Sequence, residues 1–231
     1  MKFYDLVYVD GRRFSPNCWR TTFALAHKGL EAETVPVRIS EKEPIAFANS
    51  TTLPVIEDDG RAVADSWKIA EYLEDNYPER PSLFGSEVGR GACRFFNAWA
   101  DTRVQPLVFQ AVAPDLIKCF NEEDQAYFRP LREQRFGKTF EEMEAHRETT
   151  LAELRTRLAP ARRVLEAQPF FGGASPGYAD FILGAIAQWA RCASPVDILH
   201  VEDREIRDWR ERMLDAFDGL ARAMPAHPDA K

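Results

Sequence analysis

Residues 53–66 read Leu53-Pro54-Val55-Ile56-Glu57-Asp58-Asp59-Gly60-Arg61-Ala62-Val63-Ala64-Asp65-Ser66. A strand-type run over 53–56 leads into an acidic turn that ends on glycine. A second short run, 62–64, then reaches Asp65-Ser66 at the mouth of a helix over 66–76. A proline inside a strand pattern cannot donate to the ladder, so Pro54 predicts an edge, a bulge or a cis bond. If the bond is cis, the kink exposes the N–H and C=O of Val55 to an extended peptide. Asp65 and Ser66 fall where helix-start N–H groups point outward, which favours a carboxylate ligand. Backbone and charge together would grip a small acidic peptide.

Upstream, residues 3–9 form a β-rich run, and Ser15 and Pro16 are a good N-cap and first helical residue. The helix they open is expected to stop at Gly29, a natural C′ residue. A further strand is expected over 34–37. In the 66–76 helix, Ile69, Tyr72 and Leu73 share an apolar face. The order βαβ, then ββα, is that of a thioredoxin-like half-domain. Proline and glycine punctuate 77–88 as a linker would. Beyond it everything reads as helix: an aromatic-rich helix over 95–107, a stretch over 141–167 broken near Pro160, an apolar helix over 178–191 and an amphipathic one over 203–224. The expected fold is therefore an α/β thioredoxin-like N-terminal domain, residues 1–80, and an all-α C-terminal domain, residues 88–231.

The 231 residues carry a net charge of −7, which argues against a general nucleic-acid binder. No apolar run approaches the roughly 20 residues that span a bilayer, and the N-terminus is too polar for a signal segment. Cys18, Cys93, Cys119 and Cys192 form no Cys-x-x-Cys pair, so free thiols in a reducing, cytoplasmic setting are expected. The four histidines lack zinc-ligand spacing, and no metal is expected.

The peptide-gripping motif around Pro54 and Asp65-Ser66 resembles the glutathione site of the glutathione transferases. The helix start Phe14-Ser15-Pro16-Asn17-Cys18-Trp19-Arg20 and the late segment Gly173-Ala174-Ser175-Pro176-Gly177-Tyr178-Ala179-Asp180 match that family in the same order. The Ser-Pro-Asn-x-x-Arg pattern and the run from Arg132-Glu133-Gln134-Arg135 to Phe140 look most like the bacterial β-etherases and related fungal transferases. The resemblance implies an enzyme of detoxification type. It would use glutathione as cosubstrate, act on a small hydrophobic substrate, and assemble as a homodimer through the long helices of its second domain.

Ser15 is then the candidate catalytic residue. A thiolate at its helix start would gain the positive end of the dipole and a hydroxyl hydrogen bond. Alternatively Ser15 is only a helix cap. In redox relatives of the fold a cysteine occupies this position, so serine points to transferase chemistry. Cys18 stands as the residue of an alternative thiol reductase, or as buried packing. A non-enzymatic hydrophobic-ligand binder of the same fold is the third reading. The glutathione-binding set is Asn17, Lys42, Leu53, Pro54, Val55, Asp65 and Ser66, with Lys42 assigned either to the glycine carboxylate or to solvent. The second-substrate wall is expected from Phe14, Trp99, Arg103 and Leu107, unless these belong to the core. Arg12 and Arg13 are open to steering acidic substrates or to plain solvation. Gly177 stands where the family usually has a capping Ser or Thr, which leaves Asp180 to pair with backbone donors.

Overall fold

A computed structural model describes residues 1–230. Its N-terminal part is a four-stranded sheet in the order β2-β1-β3-β4, built from β1 (Lys2–Leu6), β2 (Glu33–Val37), β3 (Val55–Asp58) and β4 (Arg61–Ala64). β1 and β2 run parallel, while β3 is antiparallel to both β1 and β4. A parallel pair needs a crossover, and α1 (Pro16–His27) supplies it. β1 is shorter than its β-rich run because the chain leaves the sheet after Leu6. Val7 bridges back to Arg13 around Gly11, whose φ of 82° suits glycine. That loop delivers Ser15 to the start of α1.

Side chains alternate across the sheet with period two. Phe3 and Ile56 enter the main core beside α1 and α2 (Ser66–Asn76), where Ile69 and Leu73 are fully buried. Tyr4 and Val55 point the other way, into a small cluster with Val37 and Ile45 under the 3-10 turn Glu43–Ala48. α1 stops as expected, at Lys28 with Gly29 at a φ of 60°.

The remainder is helical: α3 (Glu87–Trp99), α4 (Gln105–Leu116), α5 (Glu122–Phe136), α6 (Phe140–Ala145), α7 (Arg147–Arg157), α8 (Ala159–Leu165), α9 (Tyr178–Ala193) and α10 (Arg204–Ala223). The single helix expected over 95–107 is interrupted by a π-helical segment, Ala100–Val104, between α3 and α4. The stretch expected over 141–167 breaks at His146 as well as near Pro160. α10 is interrupted at Phe217, Asp218 and Gly219, which all take positive φ. α9 runs through the middle of the helical part and packs on α1. At Gly184 a Cβ would come within 3.0 Å of Met213 Cε and 3.6 Å of Phe23, so glycine lets the flexible end of Met213 pack close on α9. The fold is the expected one, an α/β thioredoxin-like part followed by an all-helical part. No helix among the described residues is long and apolar enough to cross a membrane.

Asp180 anchors α9. Its carboxylate accepts from the N–H groups of Phe171 (2.8 Å), Gly172 (2.8 Å) and Gly177 (3.0 Å) and from the indole N–H of Trp209 (2.8 Å). Gly177 has no side chain to return a bond, so only one half of the reciprocal cap exists. Asp180 pairs with backbone donors as the sequence suggests, and the indole is the added partner.

Candidate active site

A cavity of about 560 Å³ opens between the sheet part and the helical part, with Ser15, Leu53 and Asp65 on one side and Gln105, Phe109 and Arg132 on the other. Ser15 caps α1. Its hydroxyl oxygen accepts from the Cys18 N–H at 3.2 Å. Pro16 has no N–H, and the Trp19 N–H returns to the Ser15 carbonyl at 3.0 Å. That accounting leaves the Asn17 N–H as the open donor of the first turn, and Asn17 lines the cavity. A sulfur anion at this point would meet a hydroxyl, one backbone N–H and the positive helix end.

The peptide bond before Pro54 is cis. The Pro54 carbonyl accepts from the Asp65 N–H at 3.2 Å, which ties the two halves of the motif together. Val55, however, sits between Tyr4 of β1 and Ala64 of β4 in the sheet register, and its side chain is buried away from the cavity. Val55 is therefore not placed to offer its backbone to a peptide in the cavity. Leu53 lies outside the ladder and lines the cavity, and no backbone hydrogen bond engages its main chain among the described residues.

Asp65 adopts a φ of 85°, a strained value for a residue with a side chain. Such strain costs on the order of 1–3 kcal/mol and gathers at functional sites. One carboxylate oxygen, Oδ1, caps α2 by accepting from the Trp67 and Lys68 N–H groups at 3.0 and 3.1 Å. The second oxygen is free for a cation, and the Ser66 N–H beside it is open to an anion. Ser66 is itself buried, and its carbonyl accepts from the Tyr178 hydroxyl at 3.0 Å.

Lys42 reaches the same cavity. Its ammonium donates to the Ile39 carbonyl at 2.7 Å and lies 4.8 Å from the Tyr127 ring centre, with two further protons available. Cys18 is buried next to Asp5, and burial followed by that carboxylate pushes its thiol well above the ordinary value. Arg12 and Arg13 are neither solvated nor in the cavity. Arg12 is buried, bonded to Asp10 and to the Cys192 carbonyl at 2.7 Å each, and Arg13 pairs with the fully buried Asp5. Among the described residues no group of three or more His, Cys, Asp or Glu side chains is placed to hold a metal.

The N-terminal domain model of glutathione S-transferases matches residues 14–76, and the C-terminal domain model matches residues 93–218, more than half the chain. The chain belongs to the glutathione S-transferase family. It is a glutathione transferase enzyme with the fold of that family. A maize relative, glutathione transferase GST 23 of Zea mays, is 27% identical over 95% of this chain and 89% of its own length. Glutathione S-transferase omega-1 of Mus musculus is 25% identical over 76% of this chain and 63% of its own. Among solved structures, transferase GSTFuA3 of Phanerochaete chrysosporium superposes with a TM-score of 0.79 at 28% identity, covering 91% of this chain and 94% of that one. A Ceriporiopsis subvermispora transferase solved in complex with glutathione has a TM-score of 0.78 at 22% identity and covers 99% of both chains.

Within this glutathione transferase, the cavity brings together Ser15, Asn17, Lys42, Leu53, Pro54, Asp65 and Ser66. Of the four residues expected in the second wall, only Phe14 lines it, stacked on Tyr8 at 3.9 Å between ring centres. Trp99 packs against Phe96 at 5.2 Å, Arg103 is exposed and Leu107 leans on the core. All three lie on the helix face turned from Ser15. The face turned toward it carries Asp101, Gln105 and Phe109 instead. Asp101 and Gln105 are held by the buried Arg20 guanidinium at 2.6 and 3.2 Å. An aromatic stripe in the sequence thus marks packing, and the site-facing stripe is polar at its sheet-side end. Tyr127, Phe128, Arg132 and Phe136 of α5 close the other side of the wall, with Leu116 of α4 and Trp189 of α9 deeper in. The run from Arg132 to Phe140, which carries the subgroup resemblance, is the sequence signal for this part of the wall.

Proposed function

We propose that glutathione lies along Leu53 and Pro54. Its γ-glutamyl ammonium would meet the free Asp65 oxygen, its γ-glutamyl carboxylate the Ser66 N–H, and its glycine carboxylate Lys42. The thiol then falls at the start of α1. Ser15 donates its hydroxyl proton to the sulfur and the Asn17 N–H adds a second bond, so the thiol gives its proton to solvent and the thiolate persists. A free thiol titrates near about 8.5, and helix starts and nearby donors are known to lower that by a unit or more. The thiolate attacks an electrophilic aromatic carbon or the carbon bearing an aryl ether oxygen. A carbon–sulfur bond forms, and halide or aryloxide leaves with the electrons of the broken bond. The aromatic wall of α4 and α5 holds the substrate against Phe14.

The observation that carries this reading is the Ser15 hydroxyl at the start of α1, in one cavity with Leu53 and Asp65. The reductase alternative needs Cys18 as a reactive thiolate, and burial beside Asp5 opposes that. The β-etherase-like subgroup is supported by the likeness to GSTFuA3 of Phanerochaete chrysosporium and by the run from Arg132 to Phe140. Residues 1–80 serve as the glutathione-binding domain and 88–231 as the substrate and dimerisation domain. A homodimer would form on α3, whose Val88 and Phe95 are 83% and 76% exposed. Four free cysteines suit a reducing cytoplasm. Calorimetry with glutathione, followed by turnover of a generic aryl chloride, tests the whole reading. Absence of glutathione binding at millimolar concentration would overturn it.

A further inference from the structure

α5 brings two arginines to the cavity in different circumstances from their neighbour. Arg129 is committed to Glu133 and Glu141, at 3.0 Å each. Arg132 and Arg135, one and two turns on, have no carboxylate partner among the described residues. Arg132 is half-buried, and its Nε is shielded from solvent with no hydrogen-bond partner. Its guanidinium lies 4.8 Å from the Phe128 ring centre and 5.9 Å from that of Phe109. Arg135 lines both this cavity and the adjoining cleft that passes Asp65 and Asp101. Burial, and then the charge of Arg135, push the Arg132 guanidinium below its ordinary value, which a bound anion would relieve. Neither acidic group of the cavity pairs with these arginines: Asp101 holds Arg20, and Asp65 caps α2 through one oxygen.

We infer that the second-substrate region selects aromatic electrophiles that bear a carboxylate, with Arg132 as the anchor inside the wall and Arg135 at its rim. This rests on the placement of glutathione given above. A planar guanidinium with unpaired N–H groups is matched by a carboxylate. Phe109 and Phe128, whose ring centres lie 5.9 and 4.8 Å from the Arg132 guanidinium, line the same cavity, so an arene attached to that carboxylate would lie beside them. The glycine end of the tripeptide has its own cation in Lys42. An aromatic acid therefore suits the arginines better than glutathione does, although both ligands carry a carboxylate.

The test uses matched pairs. Glutathione at saturation is presented with 4-chloro-3-nitrobenzoate or with its methyl ester, and the two S-aryl glutathione conjugates are titrated by calorimetry as a readout independent of turnover. The wild-type chain is expected to favour the acid over the ester by about tenfold or more, in conjugate affinity and in kcat/KM divided by each compound's uncatalysed rate with glutathione, as one charge-assisted contact would give. Arg132→Leu should bring that ratio down toward one, Arg135→Leu should lower it less, and Arg132→Lys should keep more of it than Arg132→Leu. Circular dichroism checks that each variant folds. A wild-type ratio near one, or a ratio unmoved in Arg132→Leu, overturns the inference. So does a rise in the KM for glutathione with the ratio intact, which would assign Arg132 to the tripeptide. Failure of the wild type to bind glutathione at all would instead remove the underlying placement.

Discussion

Replacing Ser15 by alanine separates its two roles, because they act on different observables. As a cap, the hydroxyl oxygen accepts from Cys18 N–H at 3.2 Å. Losing a serine cap typically costs about 1 kcal/mol, which for a chain of this size is a fall in Tm of about 2–4 °C. As a thiolate donor, the hydroxyl proton makes a bond to a charged acceptor, worth about 1.5–3 kcal/mol. At about 1.36 kcal/mol per pKa unit, its loss raises the thiol pKa of bound glutathione by about one to two units. The thiolate exists above its pKa, so raising the pKa moves the rising limb of the kcat/KM profile to higher pH. Turnover of an aryl chloride should fall about 10–100-fold below both pKa values and converge with wild type well above them. Ultraviolet absorbance of the thiolate, titrated on the glutathione complex, reads the same shift without turnover. A lowered Tm with an unmoved limb would refute the catalytic role and leave Ser15 as a cap, with Asn17 N–H and the helix end holding the sulfur.

Asp65→Ala is expected to weaken glutathione binding by about 2 kcal/mol or more, read by calorimetry, because it removes a charge-assisted partner; an unchanged Kd would displace the γ-glutamyl end from α2. Cys18→Ser should leave the pH profile of turnover in place, since the buried thiol is already held protonated; a lost limb would revive the reductase reading. His27 is held below its ordinary value of 6.5, first by burial, so below about 6.5 the unfolded chain binds a proton that the folded chain refuses. Stability should therefore decline as pH drops through that value, and His27→Gln should flatten the decline in thermal melts. Analytical ultracentrifugation at micromolar concentration should show a dimer, and a single species at 26.4 kDa would remove α3 as an interface.

The sequence made the sheet part legible because its signals are local. A proline at a strand start, a glycine turn and two polar caps each dictate backbone geometry within a few residues, and Ser15, Leu53, Pro54, Asp65 and Ser66 all follow from them. Val55 failed because the same local pattern does not say which side of a strand is already paired; only the register with Tyr4 and Ala64 does. The second wall failed for a longer-range reason. Trp99 and Leu107 are apolar at helical spacing, and that spacing identifies a buried face without naming the neighbour that buries it. The π segment at Ala100–Val104 also inserts an extra residue per turn, which rotates everything C-terminal to it against a straight count. Neither steering nor solvation describes Arg12 and Arg13, because the fold brings the Cys192 carbonyl and Asp5 to them, while Asp10 is two residues from Arg12.

The late segment from Gly173 to Asp180 reads as a folding signal, and the structure gives it a route to the site. Asp180 fixes the start of α9, and the next-but-one residue before it, Tyr178, is buried with its hydroxyl donating to the Ser66 carbonyl at 3.0 Å. Tyr178 also meets Trp67 edge-on at 5.6 Å, so the first turn of α2 rests on the first turn of α9. Tyr178→Phe keeps the ring and deletes that single bond. Stability should fall by about 0.5–1.5 kcal/mol, the usual net worth of one buried hydrogen bond. Because the same turn carries Asp65 and Ser66, glutathione affinity should fall too, by about two- to fivefold, less than in Asp65→Ala. Denaturant melts and calorimetry on one preparation measure both. A loss of stability with an unchanged glutathione Kd would make Tyr178 a packing residue alone. A loss of affinity alongside it would make α9 the element through which the helical part positions the tripeptide.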